Sequence, residues 1–297
     1  MKYQYNTIIL GSGVAGMTAA IYLKRSNIDV LVIEKESPGG QVNRTSDIEN
    51  YPGFSSIKGP ELAFKMFEQM NYISIPYKYG DVTCINEKEG YKEVVTDDAT
   101  YTCLNVIIAT GRRPRKLGLP NEDKFSQRGL SYCAICDGPL YKDKVVAVIG
   151  SGNSAVEEAT YLSEICSKVY LINRSDKFKA DEEAQKKLFD STVEIIYNST
   201  VSSLNENENK FSGITLDNGT KIDLDGVFVY IGNNPETSFL NNSRVNTQDG
   251  YVLVDKCMKT NVKGIYACGD VIYKDFYQIS TAVGEATIAA LTIKKEN

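Results

Sequence analysis

Two cysteines two residues apart, with an aspartate directly after the second, are the most chemically pointed group in the sequence: Cys133-Ala134-Ile135-Cys136-Asp137-Gly138. A thiolate is a nucleophile, and a carboxyl beside it can move the protons that thiol chemistry requires. The same spacing could be half of a zinc site, but the chain has no histidine and no second CxxC to complete four ligands. The absence of histidine also removes the Ser-His and Cys-His nucleophile pairs, so proton transfer falls to another residue type. Asp137 is the obvious candidate; its plainer reading is a turn residue before Gly138. The other five cysteines, Cys84, Cys103, Cys166, Cys257 and Cys268, stand singly in mostly apolar surroundings and read as small buried hydrophobes. Seven cysteines in a chain without an export signal speak for one special pair among reduced thiols, and against a disulfide scaffold.

Two further groups are suited to holding a diphosphate. Gly11-Ser12-Gly13-Val14-Ala15-Gly16 follows an apolar strand from Tyr5 to Leu10 and precedes a helix from Met17 to Lys24. The next strand, Val30 to Ile33, closes on Glu34. Gly150-Ser151-Gly152-Asn153-Ser154-Ala155 repeats the arrangement, with strands over Val145 to Ile149 and Val169 to Ile172 and a helix over Val156 to Leu162. In such turns one glycine permits the tight bend, one lets the backbone approach a pyrophosphate, and the third small residue lets helix pack on strand. The phosphates rest on the helix N-terminus, where unpaired N–H groups and the positive dipole end face them. A lone glycine pattern says little, but each copy here has its strand, helix and second strand at the expected distances.

The ends of the second strands differ in chemistry. Glu34 can accept hydrogen bonds from a ribose diol and its charge would repel a 2′-phosphate, so Gly11, Gly13, Ala15 and Gly16 with Glu34 and the adjoining Lys35 suit FAD. The other strand ends Asn173-Arg174-Ser175, with Lys177 and Lys179 nearby and no carboxylate at its tip. Gly150, Gly152, Asn153, Ser154 and Ala155 with Arg174 and Lys179 therefore favour NADPH over NADH, the alternative for the two cations being ordinary surface charge.

Each copy closes on one pattern, an apolar strand followed by Gly, two polar residues and Pro: Val106 to Pro114, and Val227 to Pro235. Such punctuation marks a crossover. The expected fold is α/β, with two Rossmann-like dinucleotide-binding domains, the second inserted into the first. Residues 1–112 and 241–297 would bind FAD, and 113–240 would carry the nicotinamide nucleotide site and the cysteine pair. A length of 297 residues suffices for two cores. The 42% hydrophobic and 24% charged content is that of a globular protein, and no segment approaches a bilayer-spanning length. A net charge of −5 offers no basic footprint for nucleic acid. The apolar stretch Thr7 to Leu10 is too short for a signal peptide, so the cytoplasm is the expected compartment.

Along nearly its whole length the sequence resembles the low-molecular-weight thioredoxin reductases. Gly39-Gly40-Gln41 and Glu49-Asn50-Tyr51-Pro52-Gly53 are similar to that family's flavin-contacting segments, and the resemblance puts Gly40, Gln41 and Asn50 on FAD together with Ala109, Thr110 and Gly111. Thr260 to Asp270 resembles the second FAD motif, so that Gly269 and Asp270 meet the ribityl chain and Gln278 and Ile279 the flavin ring at a helix N-terminus. The position of the CxxC, just ahead of the second glycine turn, is also that family's; the glutathione-reductase branch has its cysteines near the N-terminus and a long C-terminal domain with an essential histidine. The resemblance implies that FAD reduces a Cys133–Cys136 disulfide, that Cys136 is the sulfur nearer the flavin, that Cys133 attacks the partner's disulfide, and that Asp137 donates the proton. It implies thioredoxin or a thioredoxin-like protein as partner, a homodimer, and rotation of the inserted domain about the crossings at Arg112-Arg113-Pro114 and Asn234-Pro235-Glu236.

Some positions depart from the family. NADPH users typically carry His-Arg-Arg and Phe-Arg-Ala where this chain has Asn173-Arg174-Ser175 and Phe178-Lys179-Ala180, and an arginine where it has Tyr277. Lysine neutralises a phosphate but cannot clamp it bidentately, so weaker discrimination for NADPH is expected. Two other readings on the same fold are a ferredoxin-dependent flavin thioredoxin reductase and a small-molecule dithiol oxidase; a flavin-binding or redox-sensing module is the non-enzyme reading.

Overall fold

Tyr5–Leu10 (β1) is apolar on both faces, with Ile8, Ile9 and Leu10 fully buried, as befits a strand covered on both sides of a parallel sheet. The computed structural model describes residues 3–45, 47–241 and 243–297, the side chains of Arg44 and Asp47 excepted. From β1 the chain passes through the glycine turn into helix α1 (Val14–Arg25) and returns as β2 (Val30–Glu34), parallel to β1 with Ile8 opposite Leu31. The helix starts at Val14, not Met17, because Gly13 is already its N-cap and the second half of the turn is its first turn.

The first unit continues with α2 (Gly59–Tyr72), β3 (Tyr77–Tyr79), β4 (Val82–Lys88), β5 (Tyr91–Thr96) and β6 (Thr100–Ile108). Strands β3, β2, β1 and β6 are parallel neighbours in that order, and β4 and β5 form an antiparallel hairpin against the first half of β6. Residues 265–267 return late in the sequence to pair with the last three residues of β6, in register Ile265 to Val106. Ile9, Val32 and Ile107 point to one face, packed on α1 and on the C-terminal helix, while Ile8, Leu10, Ile33 and Ile108 fill the other.

The second unit repeats the plan. It contains β7 (Leu130–Ser131), the one-turn helix α3 (Ala134–Asp137), β8 (Val145–Gly150), α4 (Asn153–Ser163), β9 (Lys168–Ile172), α5 (Glu182–Phe189) and β10 (Glu194–Ile196). An antiparallel sheet of β11 (Val201–Asn207), β12 (Lys210–Leu216) and β13 (Lys221–Asp223) follows, then β14 (Gly226–Tyr230). The parallel sheet runs β7-β14-β8-β9-β10. As in the first unit, its helix begins early, at Asn153 with Gly152 as N-cap, not at Val156.

The units are Met1–Arg113 with Asn234–Asn297, and Pro114–Asn233. The chain crosses between them at Arg112–Pro114 and Asn233–Pro235, which pair as a two-stranded ribbon. The second crossing precedes the expected boundary at 240. The reason is that the Glu236 N–H donates to the Gly111 carbonyl at 3.0 Å, and Leu240 is buried with Ile85 and Val245 in the first unit's core. The last elements of that unit are β15 (Ile265–Ala267) and α6 (Ile279–Glu296). Among the described residues no helix is long and apolar enough to cross a membrane.

One buried carboxylate fixes the segment that leads to the cysteines. Glu122 accepts the N–H groups of Leu117 and Gly118 at 2.8 and 2.9 Å and the Tyr132 hydroxyl at 2.7 Å. Glu122→Ala leaves these donors without their acceptor and should destabilise the protein by about 3 kcal/mol, given ~1–3 kcal/mol per unsatisfied buried group. Urea unfolding followed by circular dichroism measures this; an unchanged midpoint would show that the three bonds contribute nothing.

Candidate functional site

The carboxyl ends of β2, β1, β6 and β15 stand in a row along one edge of the first unit's sheet. At about 4.8 Å between neighbours this row is about 14 Å long, the right scale for an extended dinucleotide in the crevice outside the strand ends. Glu34 ends β2, aimed by the Ser12 N–H and hydroxyl on one carboxylate oxygen, at 2.7 and 3.1 Å, and by the Glu36 N–H on the other at 2.9 Å. The adjoining Lys35 is held by Glu236 at 2.7 Å.

The three glycines of the first turn have separate causes. A Cβ on Gly11, whose φ is +97°, would sit 2.5 Å from the Ala109 carbonyl oxygen, and one on Gly16 would sit 1.9 Å from that of Gly11. A Cβ on Gly13 would meet nothing within 4 Å. The fold therefore explains Gly11 and Gly16 and leaves Gly13 facing open space. Beside it the N-terminus of α1 has no side-chain cap and no acid in its first turn, whereas α5 is capped by Asp181, which accepts the Ala184 N–H at 2.8 Å. Gly39 donates to the Ser12 carbonyl at 2.8 Å, and Gly40 packs on Gly13 closely enough that its Cβ would lie 3.3 Å away.

The rest of the row brings together residues far apart in sequence. Gln41 Nε2 donates to Asp270 Oδ2 and Asn50 Nδ2 to Gln278 Oε1, each at 3.3 Å. Gln278 caps α6, and Ile279, its first residue, packs against the buried cluster that contains Val42, Ile48 and Leu62. Ala109 is buried, the Thr110 hydroxyl donates to the Glu236 carbonyl at 2.6 Å, and Gly111 follows. Gly269 backs onto Ala15, where a Cβ would come within 2.7 Å of the alanine methyl. Burial raises the Asp270 carboxyl above its ordinary range, against the pull of Arg112 and Lys274. Lys274 itself is bonded to both oxygens of Glu285, at 2.9 and 2.8 Å. Burial also pushes the Tyr277 phenol up to about 12. Although Tyr277 reads from sequence as a lost arginine, a guanidinium covers it: Arg112 Cζ is 3.5 Å from its ring centroid.

On the second unit's sheet the strand ends carry, in order, the cysteines after β7, Tyr230 on β14, the second glycine turn after β8, and Arg174 after β9. Cys133 and Cys136 are joined in a disulfide, with Cα atoms 5.3 Å apart, and both residues are half-buried. Asp137 is 9% exposed; its N–H donates to the Cys133 carbonyl at 3.0 Å and its Oδ2 accepts the Ser131 hydroxyl at 2.6 Å. Ser131 Oγ in turn accepts the Cys133 N–H at 3.1 Å, and the Tyr230 hydroxyl accepts the Ala134 N–H at 2.6 Å. Gly138 seats this turn on α4, since a Cβ there would lie 3.0 Å from a Leu162 methyl. Reasoning from sequence missed Ser131 and Tyr230: a strand residue two places before Cys133, and a tyrosine at the end of an apolar strand, both look like scaffold.

The second turn repeats the logic of the first. Gly150 is enforced by the Tyr230 carbonyl, 2.4 Å from a Cβ, while a Cβ on Gly152 would meet nothing within 4 Å. Ala155 is buried and Ser154 exposed. Asn153 is engaged with Asp181, donating at 2.7 Å and accepting the Asp181 N–H at 2.9 Å. Arg174 and Lys179 are both exposed, and the Lys179 N–H donates to the Ser151 carbonyl at 2.7 Å, folding its loop onto the turn. Burial, ahead of the charge of Glu157, pushes the Glu158 carboxyl on α4 up to about 7. Of the single cysteines only Cys103 and Cys268 are buried, whereas Cys84, Cys166 and Cys257 are half-buried. Burial pushes the thiols of Cys103 and Cys166 up to about 12 and about 11, which keeps them protonated and unreactive near neutrality.

The family model for pyridine nucleotide-disulphide oxidoreductases matches residues 5–286. The chain belongs to that family. Within it the chain groups with the low-molecular-weight thioredoxin reductases. It is 42% identical to the thioredoxin reductase of Bacillus subtilis over 98% of its own length and 94% of that protein. The crystal structure of thioredoxin reductase from Streptococcus pyogenes superposes with a TM-score of 0.92 at 43% identity, covering 99% of this chain and 98% of that one. A ferredoxin-flavin thioredoxin reductase from Clostridium acetobutylicum is 33% identical, with a TM-score of 0.55 over 98% of this chain and 97% of that one. The two-domain dinucleotide-binding fold and thioredoxin-disulfide reduction by an FAD-dependent oxidoreductase are what this kinship shows.

The open side of Gly13 separates fold from cofactor in this family member. Gly13→Ala, with φ at −68° and free space for the methyl, should stay folded and lose most of its bound FAD. Gly16→Ala should fail to fold, or melt far below the parent. Flavin absorbance per chain together with thermal melting tests the pair. Full FAD content in a folded Gly13→Ala variant would refute the assignment of this turn to the diphosphate.

Proposed function

We propose that the protein passes electrons from NADPH, through FAD held on the first unit, to the Cys133–Cys136 disulfide and from there to the disulfide of thioredoxin or a thioredoxin-like protein. The observation that carries this reading is the cysteine pair itself. It is a disulfide set two strands from an open glycine turn, on one sheet edge, with a buried carboxyl built into the same helical turn. The first unit fits FAD because Gly13 faces open space, the α1 N-terminus has no side-chain cap, and Glu34, Asp270 and Gln278 stand in the order that adenosine, ribityl and ring would need. When bound, FAD supplies a two-electron carrier that takes a hydride from a pyridine nucleotide and gives an electron pair to a disulfide.

The chain's own part begins when an electron pair reaches Cys136. The Cys133–Cys136 bond breaks, and Cys133 leaves as a thiolate. Cys133 then attacks one sulfur of the partner's disulfide, forming a mixed disulfide and releasing the partner's other sulfur, which takes a proton. Cys136 attacks the Cys133 sulfur, the Cys133–Cys136 bond re-forms, and the partner departs as a dithiol with two electrons and two protons gained. Asp137 is the proton carrier, and the Ser131 hydroxyl holds it in place. Asp137→Asn should keep fold and FAD content and slow thioredoxin reduction about a hundredfold or more. An unchanged rate would make it a turn residue.

NADPH is the donor in this reading because Gly152 is open, the α4 N-terminus is uncapped, and no carboxylate ends β9. The preference over NADH is weak, since Arg174 and Lys179 stand in solvent. A second reading, reduction by ferredoxin, is favoured by the likeness to the clostridial ferredoxin-flavin enzyme. Anaerobic bleaching of the flavin by NADPH, NADH and reduced ferredoxin in turn separates the two. NADPH should bleach it, with a KM that rises at least tenfold in Gly152→Ala. Bleaching by ferredoxin alone would replace the first reading with the second. The proposal extends to a cytoplasmic homodimer, for which light scattering is the test.

A further inference from the structure

Asp270 stands between two cations and is hydrogen-bonded to neither. Lys274 Nζ lies 3.9 Å from its Oδ1 and Arg112 Nε 3.7 Å from its Oδ2, both too far for a hydrogen bond. The bond it does accept comes from Gln41, at 3.3 Å on Oδ2. Among the described residues Oδ1 therefore has no donor, and the side chain, 23% exposed, is not sealed from solvent. An ammonium so near a free carboxylate oxygen would ordinarily close the gap.

Glu285 on α6 is what holds it back. Its Oε2 accepts Lys274 Nζ at 2.8 Å and the Gly269 N–H at 2.9 Å, and its Oε1 accepts Lys274 Nζ at 2.9 Å. One carboxylate thus ties the ammonium to the turn Gly269–Val271 that carries Asp270. The side chains of Lys274 and Glu285 are only 12% and 15% exposed, and a buried charge that loses its partner must find another. The other acid within 4.0 Å of Lys274 is Asp270.

We infer that Glu285 is a positioning residue for FAD: by holding Lys274 away from Asp270, it keeps Oδ1 free to accept a hydroxyl of the ribityl chain. Its effect runs through Lys274, which sets it apart from a side chain that merely props the turn. The inference rests on the assignment of FAD to the first unit.

The test compares the parent with Glu285→Gln, Lys274→Met and the double variant, each as apoprotein titrated with FAD. Mildly alkaline pH is used, because burial holds the Asp270 carboxyl above its ordinary range. Flavin fluorescence quenching gives the dissociation constant. Glutamine keeps an acceptor for Gly269 and drops the charge that holds Lys274, so Glu285→Gln should raise the dissociation constant about tenfold or more. Lys274→Met should bind within about threefold of the parent, and adding it to Glu285→Gln should restore binding to that range, since no ammonium is left to take Asp270. A structural prop cannot be rescued in this way. A double variant that binds no better than Glu285→Gln would therefore overturn the inference. So would an unchanged constant in Glu285→Gln, or a rise of about tenfold in Lys274→Met alone, which would put the ammonium itself on the nucleotide. Should Glu285→Gln fail to fold, the double variant, in which neither partner is left as an unpaired charge, decides alone by whether it binds like the parent. A folded parent apoprotein that takes up no FAD would overturn the reading of the first unit and this inference with it.

Discussion

The first turn of an α-helix has N–H groups with no partner inside the helix, and this protein caps some of those ends with a side chain and leaves others, among them the two at the glycine turns, without one. Asp181 caps α5, and Gln278 with Thr281 closes the start of α6. Helices α1 and α4 begin at glycines with no side-chain cap. Each omission forgoes a few tenths of a kcal/mol, since glycine is itself a tolerated N-cap, and an anion placed there can more than return it. Much else in the two units follows from keeping those ends accessible. A strand must deliver the chain to the helix, the strands must be parallel so that all carboxyl ends share one edge, and both faces of each sheet must be covered. Hence the fully apolar strands Ile8-Ile9-Leu10 and Val146-Ala147-Val148.

A redox disulfide imposes the opposite demand, since its sulfurs must be reachable while their geometry stays fixed. The protein meets it with a single helical turn whose ends are tied down separately. The Tyr230 hydroxyl takes the Ala134 N–H at the start, and Ser131 takes the Cys133 N–H while holding Asp137 at the end. Gly138 brings the turn against α4. Without histidine in the chain, a carboxylate fixed by a hydroxyl is how an acid/base group can be held beside two sulfurs. Three of the single cysteines are held as thiols. Burial keeps Cys103 protonated, burial with the charges of Asp143 and Asp225 does so for Cys166, and Cys268 is protected in the core.

The repeated turns were legible because they depend on local rules: a glycine where a carbonyl lies 2.5 Å from a would-be Cβ, a small residue where helix meets strand. The CxxC and its aspartate were legible because the chemistry is carried by residue type. Contacts made by folding were not. Gln41 and Asp270 lie 229 positions apart, and nothing local predicts that they bond. Ser131 and Tyr230 carry no mark in a one-dimensional pattern, because each occupies the end of an otherwise ordinary strand. The helix starts were placed three residues late for a related reason. A glycine N-cap lacks the Ser, Thr, Asp or Asn signal by which helix starts are usually recognised.

Departures from a family pattern also change weight once their surroundings are known. Asn173 stands where the resemblance leads one to expect a histidine, and from sequence it counts as a lost phosphate partner. It is fully buried, its amide donates to the Lys177 carbonyl at 3.0 Å, and its oxygen accepts the Ser175 N–H at 3.2 Å. Such a side chain shapes the loop after β9 and does not face a nucleotide. Ser175 is likewise turned inward, its hydroxyl donating to the Lys177 carbonyl at 2.8 Å. The cations left to meet a 2′-phosphate are Arg174 and Lys179, both exposed on that loop. A guanidinium and an ammonium in water discriminate by charge more than by geometry, and exposed charges are screened beyond about 10 Å at 0.1 M salt. With NADPH as the proposed donor, the choice between NADPH and NADH should therefore depend on ionic strength more than a bidentate clamp would make it. That dependence follows from how the loop is built, and counting substitutions would not reveal it.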